Sequence, residues 1–79
     1  MSEEWVVLLE RMNAFRGLMA ILLPALRDPV AREQAFRNQS QSLRDASLSF
    51  GIAQQECIAD LLEEIRIAYG LATGPDQTP

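Results

Sequence analysis

The sequence predicts an all-α fold: a helical hairpin with a long second helix, which pairs with a second copy into a four-helix bundle. Apolar residues make up 48 % of the 79 residues and aromatic residues 6 %, so Leu, Ile, Val and Ala supply most of the apolar surface. They recur every three or four positions, which is the spacing of one helix face. The Asp28-Pro29 pair divides the chain where one helix is expected to end and the next to begin.

The first helix is predicted over about residues 3–27. Ser2 can cap its free amides, and the carboxylates of Glu3 and Glu4 suit the positive end of the helix dipole. Near the other end, Pro24 lacks the N–H that a helical hydrogen bond needs, and its ring crowds the preceding turn. We therefore expect either a kink in that turn or an early end of the helix.

Apolar residues of this first helix follow a heptad seam over three heptads. The seam is formed by Trp5, Leu8, Met12, Phe15, Met19, Leu22 and Leu26. A second stripe widens the apolar face and consists of Ala14, Leu18, Ile21 and Ala25. Because a face this broad is usually covered by more than one neighbour, we expect both stripes to be buried.

The second helix is predicted over about residues 29–69, with Asp28 as its N-cap and the following proline as its first residue. Gly70 suits the left-handed position after the last turn, and Leu71 can fold back onto that turn. Gly51 interrupts this span, and a break there would give a three-helix bundle instead. A continuous helix is favoured because no side-chain cap follows Gly51 and because the apolar spacing carries across it. That spacing is kept by Phe36, Leu43, Ala46, Phe50, Ala53, Cys57 and Leu61.

These helices predict one helical domain over residues 1–72 and a disordered tail over residues 73–79, which has no apolar pattern. A continuous second helix would overhang the first and leave its apolar residues in water. A second copy would cover them, which predicts a homodimer; in the three-helix alternative the chain covers itself. The candidate core and dimer seam consists of Trp5, Leu8, Met12, Phe15, Met19, Leu22, Phe50, Cys57, Leu61 and Ile65.

Charge and cysteine content indicate a cytoplasmic protein. They argue against a general nucleic-acid binder. The net charge is −4, whereas such binders need cationic surface to displace counterions. All seven basic residues are Arg, and six lie in the middle of the chain between acidic ends. The single thiol, Cys57, suits a reducing compartment, and the acidic N-terminus does not resemble a signal peptide. The longest apolar run, residues 17–26, is about half of what a membrane span requires.

Catalytic and metal-binding residues are scarce. The chain has no His and one Cys, which removes the usual general base, the common nucleophile pairs and zinc ligand sets. No nucleotide-binding or redox motif occurs. The acidic residues Glu56, Asp60, Glu63 and Glu64 lie at helical spacing and are expected to form a solvated face. We therefore expect no enzyme activity, no cofactor and no metal.

The leading functional hypothesis is a small protein-interaction protein of bacterial or phage origin. It would be a homodimeric regulator, inhibitor or chaperone-like adaptor that acts by binding another protein. The candidate partner-binding residues are Trp5, an amphipathic anchor of the type enriched at interfaces, and the arginines Arg32, Arg37 and Arg44. The alternative hypothesis is a module whose arginines bind an anionic ligand or nucleic acid.

Overall fold

A computed structural model describes residues 3–71, which form three α-helices and no strand. Helix α1 spans Glu3–Ala25, α2 spans Pro29–Ala46 and α3 spans Ile52–Ala68. Each helix contacts the other two, and together they surround one apolar core. The prediction of an all-α fold is confirmed, in its three-helix form. The tail predicted for residues 73–79 lies outside the described residues.

Helix α1 continues through Pro24 and ends at Ala25, shortly before the predicted end at residue 27. A proline in the last turn removes a single helical hydrogen bond. The helix therefore ends one residue after Pro24, and its earlier turns stay helical. The amide of Leu26 then donates to the carbonyl of Leu23 at 3.2 Å and closes the final turn.

The short connection between α1 and α2 is fixed by Asp28. Its backbone is extended, with φ −78° and ψ 122°, and its carboxylate accepts from the amide of Val30 at 3.2 Å. Pro29 follows as the first helical residue, where a missing N–H leaves no helical bond unmade. The predicted start of the second helix is confirmed.

The prediction of a continuous helix over residues 29–69 is wrong, because the chain turns between α2 and α3. The hydroxyl of Ser47 donates to the carbonyl of Leu43 at 2.7 Å and satisfies the end of α2. Gly51 is the N-cap of α3 with an extended backbone and no side-chain cap. The Gln55 side-chain amide donates to the loop carbonyl of Phe50 at 3.0 Å and so ties the first turn of α3 to the preceding turn.

Burial of apolar side chains explains why the chain turns at this position. In a single chain, a continuous helix would leave Ile58, Leu61 and Ile65 in water, whereas in the structure they are at most 4 % exposed. Burying each such side chain stabilises the fold by about 1.5–3 kcal/mol. A helical hydrogen bond contributes about 1 kcal/mol net, and the turn gives up only the few bonds of residues 47–51.

The C-terminal end of α3 follows the prediction from the sequence. Gly70 adopts a left-handed conformation with φ 63°. Its amide donates to the carbonyl of Ile67 at 3.2 Å, and the amide of Leu71 donates to that of Arg66 at 2.9 Å. These two bonds form a Schellman motif, and Leu71 is buried against the core.

The ten predicted seam residues all belong to this core or pack against it. The buried members are Leu8, Phe15, Met19, Leu61 and Ile65. The half-buried members are Trp5, Met12, Leu22, Phe50 and Cys57. The rings of Phe15 and Phe36 meet edge to face at 6.5 Å between centroids and join α1 to α2. The prediction of a four-helix bundle built from two hairpins is not supported, because the apolar residues expected to overhang lie in α3, which packs within its own chain.

Candidate interaction surface

The second apolar stripe of α1 remains in solvent, contrary to the expectation that neighbouring helices would bury it. We call it the outer stripe; its members are Ala14, Leu18, Ile21 and Ala25, all of which are exposed. Ile21 is 76 % exposed and Leu18 is 41 % exposed. Spacing of four, three and four residues places them on one side of the helix. The structure therefore presents an unpartnered apolar face that is several turns long.

Helix α1 is apolar on both sides, which distinguishes it from a helix that faces water. Its inner side buries Leu8, Phe15, Met19 and Leu23 against α2 and α3. A helix that faces water on one side normally carries polar residues there. Gly17 lies next to the outer stripe, and a Cβ added there would have no atom within 4 Å. The surface around Leu18 and Ile21 is thus accessible to an approaching chain.

Trp5 lies near the start of α1 and is half-buried against the core. Two neighbours in the same segment, Val6 and Leu9, are 42 % and 43 % exposed. Trp5 packs against the core, and it lies 13 residues, or about three and a half helical turns, before Leu18. This candidate anchor therefore belongs to the core side of α1 and lies outside the outer stripe.

The three arginines proposed for partner binding have different surroundings. The Arg32 guanidinium donates to the carbonyl of Leu26 and braces the α1–α2 connection. Arg37 forms an ion pair with Glu33 at 2.6 Å on the same helix. Arg44 forms no ion pair with any residue between 3 and 71. Arg44 is thus the one of the three whose guanidinium group has no ion-pair or hydrogen-bond partner among the described residues.

Two other arginines of the basic middle also contact residues of their own chain. Arg16 pairs with Glu64 and links the exposed edges of α1 and α3. The Arg11 guanidinium lies 5.9 Å from the centroid of the Phe50 ring, a cation–π distance. The Arg16–Glu64 pair thus joins a basic residue from the middle of the sequence to an acidic residue near its C-terminal end within one chain.

The acidic residues of α3 are exposed, as expected. Glu63 accepts hydrogen bonds from Arg66, and this contact lowers the pKa of Glu63 below its ordinary value. The same hydrogen bond raises the pKa of Arg66. Within residues 3–71, no three Cys or acidic side chains approach closely enough to share a metal ion.

Cys57 is half-buried and packs against the core as a free thiol. No Arg or Lys lies within four residues of Cys57 in the sequence. It therefore behaves as a small apolar residue of the α3 seam.

A cleft at the corner between α2 and α3 was not predicted from the sequence. It has a volume of about 210 Å³ and is lined by Arg44, Ser47, Leu48, Gln55, Ile58 and Ala59. No sequence signal marks it, because it exists only where the chain turns between the two helices. A continuous helix would have spread these residues along a single rod.

None of α1, α2 and α3 combines the length and apolarity that crossing a membrane requires. No protein-family model, no curated protein and no solved structure matches the chain.

Proposed function

We propose that this chain is a small non-enzymatic protein-interaction protein, a homodimeric regulator, inhibitor or adaptor of the cytoplasm that docks through the outer stripe of α1. The observation that carries the proposal is the exposure of Ile21, at 76 %, on a helix whose opposite side forms the core. An exposed apolar face of this kind is typical of an interaction site. The scarcity of catalytic residue types supports a binding role.

A second copy complements the outer stripe in shape. If two α1 helices pair antiparallel about a two-fold axis between Gly17 and Leu18, each Leu18 lies opposite Gly17 of the second copy. In the same register, each Ile21 lies opposite Ala14 of the second copy. Large side chains then meet small ones, which allows the two helices to approach closely. A two-fold axis uses the same patch on both chains, as in most homodimers.

The proposed interface is small, which sets the strength expected of it. Helix α1 has 23 residues and is therefore about 34 Å long. One face of such a helix covers less than the roughly 800 Å² per partner of a standard interface. We therefore expect self-association in the micromolar range, which a regulator can exchange for binding to its target.

Sedimentation velocity of the full chain tests the proposal. The wild type is expected to dimerise as its concentration rises through the micromolar range, whereas Ile21→Asp stays monomeric. Ile67→Asp is the matched control, since Ile67 is 65 % exposed on α3 and lies outside the outer stripe. A wild type that stays monomeric at several hundred micromolar, on the order of the weakest affinity expected here, would contradict self-association. Equal weakening by both substitutions would contradict the location.

The alternative function, binding of an anionic ligand or nucleic acid through arginines, receives less support. Arg32 and Arg37 each contact a group of their own chain. A net charge of −4 also opposes association with phosphate backbones. Titration of a labelled single-stranded DNA at low salt distinguishes the two functions, because only this alternative predicts binding that weakens steeply as salt is added.

A further inference from the structure

The cleft between α2 and α3 has a buried floor and an exposed rim. Ser47 and Ile58, which are 1 % and 2 % exposed, form the floor. Arg44, Leu48 and Ala59 are exposed and lie around it. Leu48 is 71 % exposed, so the rim offers apolar surface as well as charge.

The size and polarity of the cleft suit one apolar side chain. The cleft measures about 210 Å³, whereas an enclosed apolar cavity of about 150 Å³ holds benzene; because the cleft is open on one side, it covers part of a bulky side chain. Its polar wall groups already have partners: the Ser47 hydroxyl donates to Leu43 at 2.7 Å, and the Gln55 amide donates to Phe50 at 3.0 Å. An apolar guest would therefore leave those hydrogen bonds intact.

Arg44 gives the rim a selective charge. It has no ion-pair partner within the described chain, in contrast to Arg37, which pairs with Glu33 on the same helix. A guanidinium group recognises a carboxylate through parallel hydrogen bonds. A guest that places a carboxylate beside its apolar group would satisfy the charge and the cleft together.

We propose that this cleft binds a segment of a partner protein in which a bulky apolar side chain lies beside a carboxylate. The apolar side chain enters the space above Ile58, and the carboxylate accepts hydrogen bonds from Arg44. The site uses α2, α3 and the turn between them, so it is independent of the outer stripe on α1 and goes beyond the function proposed above.

Amide chemical shifts of the ¹⁵N-labelled full chain, titrated with short peptides, test this proposal. Acetyl-Phe-Glu-amide is expected to bind saturably, with a dissociation constant on the order of 1 mM and shifts centred on Ser47, Leu48 and Ala59. Acetyl-Phe-Gln-amide removes only the charge and is expected to bind about fivefold more weakly, the value of an exposed ion pair. Acetyl-Ala-Glu-amide removes the bulky group and is expected to show no saturable binding.

Matched variants locate the two halves of the site. Arg44→Gln is expected to make the two Phe peptides bind equally, whereas Arg37→Gln, an exposed change on the same helix, keeps their difference. Ala59→Leu fills the cleft and is expected to abolish binding of both. The proposal is overturned by no saturable shift at several times 1 mM, by equal binding of the Glu and Gln peptides to the wild type, or by binding that survives Ala59→Leu.

Discussion

Replacing Ser40 with Ala is expected to stabilise the protein, although Ser40 lies in its interior. Ser40 is in the middle of α2 and is 6 % exposed. Its hydroxyl has no hydrogen-bond partner among residues 3–71. In the unfolded chain the same hydroxyl is hydrated, so folding removes a bond to water and replaces it with none.

Two contributions set the size of this effect. A buried hydroxyl without a partner lowers the free energy of unfolding by about 1–3 kcal/mol. Alanine also has a higher helix propensity than serine, by about 0.5 kcal/mol. Together these contributions are expected to make Ser40→Ala raise the free energy of unfolding by about 1.5–3.5 kcal/mol. For a domain of this size each kcal/mol raises the Tm by roughly 4–8 °C.

Urea unfolding followed by circular dichroism measures the change, and Ser42→Ala is its matched control. Ser42 is an exposed serine of the same helix, so its replacement reports helix propensity alone. Ser40→Ala is expected to raise the free energy of unfolding by about 1–3 kcal/mol more than Ser42→Ala does, with an unchanged dependence on urea. If the two variants are equally stable, or if Ser40→Ala is less stable than the wild type, the hydroxyl has a partner and the reasoning is refuted.

Three further predictions concern the fold and its charges. Leu61 is 2 % exposed within its own chain. Leu61→Asp is therefore expected to lower the free energy of unfolding by more than about 3 kcal/mol and abolish the helical circular dichroism signal; a folded monomer would contradict this placement. Gly70→Ala is expected to lower the free energy of unfolding in urea by about 1–2 kcal/mol, because φ at Gly70 is 63°. Gly17→Ala, in the interior of α1, is expected to raise it by up to about 1 kcal/mol. Equal effects of the two substitutions would contradict the left-handed conformation at the end of α3. The hydrogen bond from Arg66 lowers the pKa of Glu63. The contribution of this contact to stability is therefore fully present above pH 4.5, the ordinary pKa, and is lost as the pH falls through the lowered pKa. An NMR titration is expected to show that pKa rising in Arg66→Gln, and an unchanged pKa would exclude the contact.

Local sequence signals account for the parts of the fold that could be predicted. The start of α2 follows from Asp28 and the proline after it, and the end of α3 follows from Gly70 and Leu71. In each case the residue types themselves satisfy the backbone groups at a helix end. The turn between α2 and α3 has no such signal, because Gly51 caps α3 without a side chain. The burial of α3 against α1 decides that turn, and burial depends on the whole chain.

For the candidate sites too, the sequence predicted the residue types, whereas their surroundings depend on how the whole chain packs. The spacing of Leu18 and Ile21 marked a second apolar stripe, yet only the packing of three helices shows that this stripe stays in solvent. The identity of Arg44 suggested binding of carboxylates, but its distinction from Arg32 and Arg37 depends on which partners the fold places beside each. The cleft itself was unpredictable, since Arg44 and Ala59 come together only after the chain turns.

NMR spectra of the labelled full chain at a series of concentrations test most directly whether the outer stripe of α1 is a docking face. Between roughly 10 µM and 1 mM, a range that spans micromolar self-association, shifts are expected to change at Ala14, Leu18, Ile21 and Ala25. The exposed residue Ile67 on α3 is expected to show no change. Spectra that are independent of concentration, or changes centred on α3, would contradict the account.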